Sequence, residues 1–104
     1  MGPRALTVLA AAALCASGCG PRPRVERAVA RAAGGRELVD VLVRNAGGEG
    51  EVSVTVRLRE RGGGVEFVKE QGVPLQAHGS AWTAVAVDAP AGDYEVSAEA
   101  RYPP

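Results

Sequence analysis

Few side chains in this sequence can do covalent or acid–base chemistry, and they stand far apart. The thiols are Cys15 and Cys19, the one imidazole is His78, and the serines are Ser17, Ser53, Ser80 and Ser97. Every serine would have to share His78 as its base, and no carboxylate stands at a spacing that completes a triad. A single histidine leaves an imidazole metal site without a second member, so His78 reads as a turn residue within Ala77-His78-Gly79-Ser80. Asp88 and Asp93 flank one loop, but two carboxylates fall short of the about six to eight oxygens that calcium takes. No glycine-rich phosphate loop opens a helix. These residues point away from an enzyme and imply no cofactor and no metal. The group with an evident chemical role is Cys19, because of what precedes it.

Ahead of Cys19 the chain runs Met1-Gly2-Pro3-Arg4, then an alanine-rich apolar run from Ala5 to Ala16, then Ser17 and Gly18. Charged, apolar and small, in that order, is the pattern of a secretory signal. The apolar run is too short to cross a hydrocarbon layer of roughly 30 Å as a helix. Ala16-Ser17-Gly18-Cys19 resembles the lipobox of bacterial lipoproteins, in which the cysteine is lipid-modified, palmitate included, and becomes the first residue of the mature chain. Ser17 and Gly18 fit the pattern; Ala16 departs from it, since the family usually has leucine there. Cys15 follows Leu14, too bulky for the residue before cleavage. The resemblance implies a signal peptide over residues 1–18, lipidation at Cys19 and a protein held in the bacterial cell envelope through that anchor.

About 85 of the 104 residues then remain, room for one small domain. With Cys15 removed and Cys19 capped, no disulfide is available, although the compartment would permit one. Packing must supply the stability. Formal net charge is zero but uneven: Arg22, Arg24, Arg27, Arg31 and Arg36 stand against Glu26, and from Glu37 onward acid outnumbers base. The body lacks the basic run and the aromatic residues of a nucleic-acid binder, so nucleic acid is not an expected partner.

Gly20-Pro21-Arg22-Pro23 reads as extended, because two prolines fix φ and bias their neighbours away from helix; residues 19–24 are taken as a tether and 25–104 as the domain. Arg24 to Ala33 is open to two readings. Val25, Ala28, Val29 and Ala32 fall at helical spacing, yet ten residues are marginal as a helix and the strands that follow need an edge partner; we expect a first strand. Its arginines, beside a lipid, could sit on anionic headgroups, or stand solvated on an edge strand.

From Glu37 the period is two. Val39, Val41 and Val43 share a face, and Val52, Val54, Val56 and Leu58 alternate with Ser53, Thr55, Arg57 and Arg59, the pattern of half-buried strands. Val65 and Phe67 open a fourth strand that Gly72 is expected to break. Val73 to Ala77 is a fifth, at an edge because of Pro74. In Ala81 to Asp88, placing Thr83, Val85 and Val87 inward turns Trp82 outward, a candidate contact residue since exposed aromatics favour binding surfaces; core or edge packing of the ring is the competing reading. The last strand sets Tyr94, Val96, Ala98, Ala100 and Tyr102 on one face.

Val41 to Gly47, Val52 to Leu58, Leu75 to Ser80 and Gly92-Asp93-Tyr94-Glu95-Val96 resemble the immunoglobulin-like β-sandwich modules of bacterial surface proteins, the cell-adhesion-related domains and the modules of envelope lipoproteins among them. The cysteine pair and central tryptophan of antibody domains are absent. The resemblance implies an all-β, antiparallel sandwich of about seven strands. Together these features lead us to expect a non-catalytic, lipid-anchored envelope protein acting as a binding or accessory module, with Trp82 as candidate binding surface and an envelope protein or glycan as candidate partner. The alternative is a structural spacer or assembly subunit of an envelope complex.

Overall fold

The computed structural model describes residues 20–104; the expected signal peptide and Cys19 lie outside them. Among the described residues the chain is all-β. Its strands are β1 (Pro23–Ala33), β2 (Arg36–Asn45), β3 (Gly50–Glu60), β4 (Glu66–Leu75), β5 (Ser80–Pro90) and β6 (Tyr94–Arg101). They form two antiparallel three-stranded sheets, ordered β1-β2-β5 and β4-β3-β6.

Local chemistry sets the hairpins. β1 turns into β2 through Gly34 and Gly35, both at positive φ (61° and 78°), the backbone of a two-residue turn whose twist matches the strands it joins and that glycine enters without strain. β1 carries a bulge between Val25 and Arg27. The extra residue puts Val25, Ala28 and Ala30 against the core, a step of three followed by a step of two. That step of three imitates a helical period and is the source of the ambiguity in the sequence; the segment is a strand, and Val29 is exposed.

Six strands form rather than the seven expected. Gly72 does not end a strand: the ladder between β3 and β4 is unbroken from Gly50 opposite Leu75 to Arg59 opposite Glu66. A glycine weakens a strand without stopping it, and Pro74 is tolerated because β4 pairs on one side only. Val65 lies ahead of β4 and is exposed, its carbonyl accepting from the amide of Glu60 to close the β3–β4 turn.

Between the sheets lies one apolar core: Val39, Val41, Val43, Val85, Val87 and Ala89 from the first, Val52, Val54, Val56, Leu58, Val73, Leu75 and Tyr94 from the second. Each fully buried valine or leucine contributes about 1.5–3 kcal/mol relative to exposure. Phe67 meets Tyr94 edge to face, with centroids 5.9 Å apart. The Tyr94 hydroxyl donates to the carbonyl of Pro90 at 2.6 Å, tying the start of β6 to the end of β5. Tyr102 lies beyond β6 and is exposed rather than facing the core.

Candidate functional site

The alternation that buries Val85 and Val87 turns Trp82 outward, and its side chain is 55% exposed. Trp82 is opposite Leu42 on β2, which is opposite Arg27 on β1. The neighbouring outer row is Arg24, Arg44 and Ser80. These rows stand at the end of the sheet where β1 begins. Farther along the same face the cations are paired: Arg31 meets Asp40 at 2.7 Å and Arg36 meets Asp88 at 2.6 Å. The Asp40 hydrogen bond, and then its charge, raise the Arg31 pKa above its ordinary value. Among the described residues Arg24, Arg27 and Arg44 have no carboxylate partner.

The opposite sheet has the reverse sign. Its outer face carries Glu51, Glu66, Glu70, Glu95 and Glu99 against Arg57, Arg59 and Arg101. One side of the domain is therefore basic and the other acidic, in a chain of zero formal charge.

A buried asparagine fixes the end of the sheet beside Trp82. Asn45, 1% exposed, accepts through Oδ1 from the amides of Arg22 (3.0 Å) and Gly47 (2.9 Å). Through Nδ2 it donates to the carbonyls of Gly48 (2.9 Å) and Gln76 (2.8 Å). Its own amide donates to Gly79. The incoming chain, the β2–β3 loop and the β4–β5 loop thus meet on one side chain. Gly20 adds a bond from the Gly48 amide to its carbonyl, Pro21 is buried, and the Tyr102 ring lies over Gly20. A Cβ at Gly47 would collide with the backbone of Gly20 and Arg22, so this approach requires glycine. The chain is clamped from Gly20 onward, and β1 begins at Pro23.

The remaining candidates are dispersed. His78 is an exposed turn residue at positive φ (51°), its amide bonded to the Gly47 carbonyl. Asp88 pairs with Arg36, and Asp93 pairs with Arg61 at 3.1 Å. Among the described residues no three His, Cys, Asp or Glu side chains gather as a metal site requires. Ser53 is buried with its Oγ unpartnered. Glu37 is buried at the other end of the sandwich. Burial foremost, then the charges of Glu60 and Glu37, push the Tyr94 phenol up.

Sequence alternation places Trp82 on the outer face, where the structure has it. It misses Asn45 and the Arg24–Arg44 juxtaposition. Asn45-Ala46-Gly47 reads as an ordinary turn, and strand pairing alone brings the two arginines together. Comparison with family models, with curated proteins and with solved structures finds no match.

Proposed function

We propose that this chain is a non-catalytic lipoprotein of the bacterial envelope, held to the membrane by lipid on Cys19, and that its immunoglobulin-like domain is a binding or accessory module. The charged, apolar and small residues ahead of Cys19 support export and anchoring. Strand order supports the immunoglobulin-like reading. Taken as A, B, C, C′, E and F, the six strands fall into sheets A-B-E and C′-C-F, an arrangement of that fold without its last strand. Tyr94 supports it again, since a tyrosine at the start of strand F bonding back to upstream backbone is a hallmark of the fold.

The observation that carries the binding role is the outward Trp82 beside Leu42, on a face whose nearest arginines have no carboxylate partner. Exposed tryptophan and arginine are the side chains most enriched where binding energy concentrates. Membrane fractionation tests the anchor. The wild-type chain should sediment with membranes and enter the detergent phase on phase separation, whereas a Cys19→Ser chain exported behind a conventional cleavable signal should be soluble. A wild-type chain found in the soluble fraction would remove the anchor from this reading.

A further inference from the structure

The geometry points to a specific partner for the Trp82 face: the anionic phospholipid headgroups of the membrane that holds Cys19. The inference deepens the anchored-module reading and rests on it for the proximity of the bilayer. Three observations converge. Arg24 and Arg44 are directly opposite each other on adjacent antiparallel strands, a like-charge pairing that costs stability unless an anion lies between. A shallow depression of about 330 Å³ is lined by Arg22, Pro23, Arg24, Arg44 and Ala46, three guanidinium-bearing residues and no carboxylate. It shares Arg44 and Ala46 with a second depression reaching His78 and Ser80. Guanidinium groups suit phosphate because their planar fork donates two parallel hydrogen bonds.

Position supplies the remainder. Gly20, the residue after Cys19, is fixed to the same end of the domain by the Gly48 amide. A lipid on the residue before Gly20 would therefore be joined to the end of the domain that carries Arg22, Arg24 and Arg44. Trp82 is three residue positions in from that end, about 10 Å at the rise of a strand, with Leu42 and Arg27 in its row. An amphipathic indole set among arginines is the composition found where proteins meet the headgroup layer. The acidic face of the other sheet would point away from such a surface. Glu26, in the β1 bulge, Asp40, on the same outer face and paired with Arg31, and Glu49, in the β2–β3 loop, are the carboxylates nearest in sequence; none lines the Arg22–Arg24–Arg44 depression. Beside such an anchor, each basic side chain near an anionic surface adds about 1 kcal/mol of attraction.

Trp82 is the sole tryptophan, so its fluorescence reports on this face alone. The wild-type chain, purified in detergent, is reconstituted into vesicles of phosphatidylcholine and into vesicles of equal parts phosphatidylcholine and phosphatidylglycerol. In the anionic vesicles Trp82 should be shielded from aqueous acrylamide and quenched by bilayer-brominated lipid. Arg24→Gln/Arg44→Gln should lose that difference, and Arg57→Gln/Arg59→Gln, on the opposite sheet, should keep it. Equal acrylamide quenching in both vesicle types, or a difference that survives Arg24→Gln/Arg44→Gln, overturns the proposal and leaves the face to a soluble partner. Protection produced by millimolar inorganic phosphate in the phosphatidylcholine vesicles would assign the site to a free anion and equally overturn it. Failure of the anchor is read separately with the Cys19→Ser chain added to preformed vesicles. Sedimentation with anionic vesicles, weakened about 30-fold by Arg24→Gln/Arg44→Gln, supports the surface even if Cys19 carries no lipid; no preference for anionic vesicles counts against it.

Discussion

Replacing Asn45 by alanine removes the side chain on which three segments meet, and its cost follows from the bonds it makes. Four are lost at once: two accepted from the amides of Arg22 and Gly47, and two donated to the carbonyls of Gly48 and Gln76. Each contributes about 1 kcal/mol net, and a buried partner left unpaired costs more. The Gly47 amide is buried, whereas the other three bonds are only partly so and their freed groups can regain water. Asn45→Ala should therefore lower stability by about 2–4 kcal/mol, a large share of the about 5–15 kcal/mol available to a domain. Urea unfolding followed by far-ultraviolet circular dichroism measures it as a shifted midpoint. Asn45→Asp sharpens the test. It keeps both accepted bonds but aims a carboxylate oxygen at the Gly48 and Gln76 carbonyls, so at neutral pH it should be at least as damaging. Part of the loss should return as pH falls toward ~4, because a carboxyl facing two carbonyls keeps its proton to a higher pH in the folded chain than in the unfolded one. A loss below about 0.5 kcal/mol for Asn45→Ala would refute the view that this residue holds the sheet end together.

The strand phase is checked by Val56→Asp, which puts a charge in the core and should abolish cooperative unfolding or cost several kcal/mol, roughly 3 or more, against a mild effect of Thr55→Asp on the outer face; similar urea midpoints would contradict the phase. Tyr94→Phe removes the 2.6 Å bond to Pro90 and should cost about 1 kcal/mol. The Tyr94 pKa is raised in the folded state, so the neutral phenol's contribution is complete below pH ~10 and is lost as pH rises through the folded value. Urea midpoints of the wild type should accordingly fall above pH ~10, and those of Tyr94→Phe should fall less steeply.

What the sequence discloses and what it hides divide along a physical line. β2, β3, β5 and β6 are legible because one face of each is wet and the other dry, which writes a period of two into the residue types. Trp82 is placed by that same alternation. β1 is blurred by its bulge, since one extra residue turns a strand period into a step of three between Val25 and Ala28. Gly72 misleads because a local strand-breaking tendency is outweighed by an unbroken ladder with β3. The features that define the site are the least legible. Asn45 bonds to groups 23 and 31 residues away, and the Arg24–Arg44 pair and the opposite charges of the two sheets exist only once strand neighbours are chosen.

Intact-mass spectrometry of the chain purified from membranes decides whether lipid on Cys19 holds this domain at a membrane. The mature chain should begin at Cys19 and carry the mass of an acylated, lipid-modified cysteine, with the added mass lost when Cys19 is replaced by serine. A chain with an unmodified N-terminus beyond Cys19, or one that retains Cys19 as a free thiol, would contradict it.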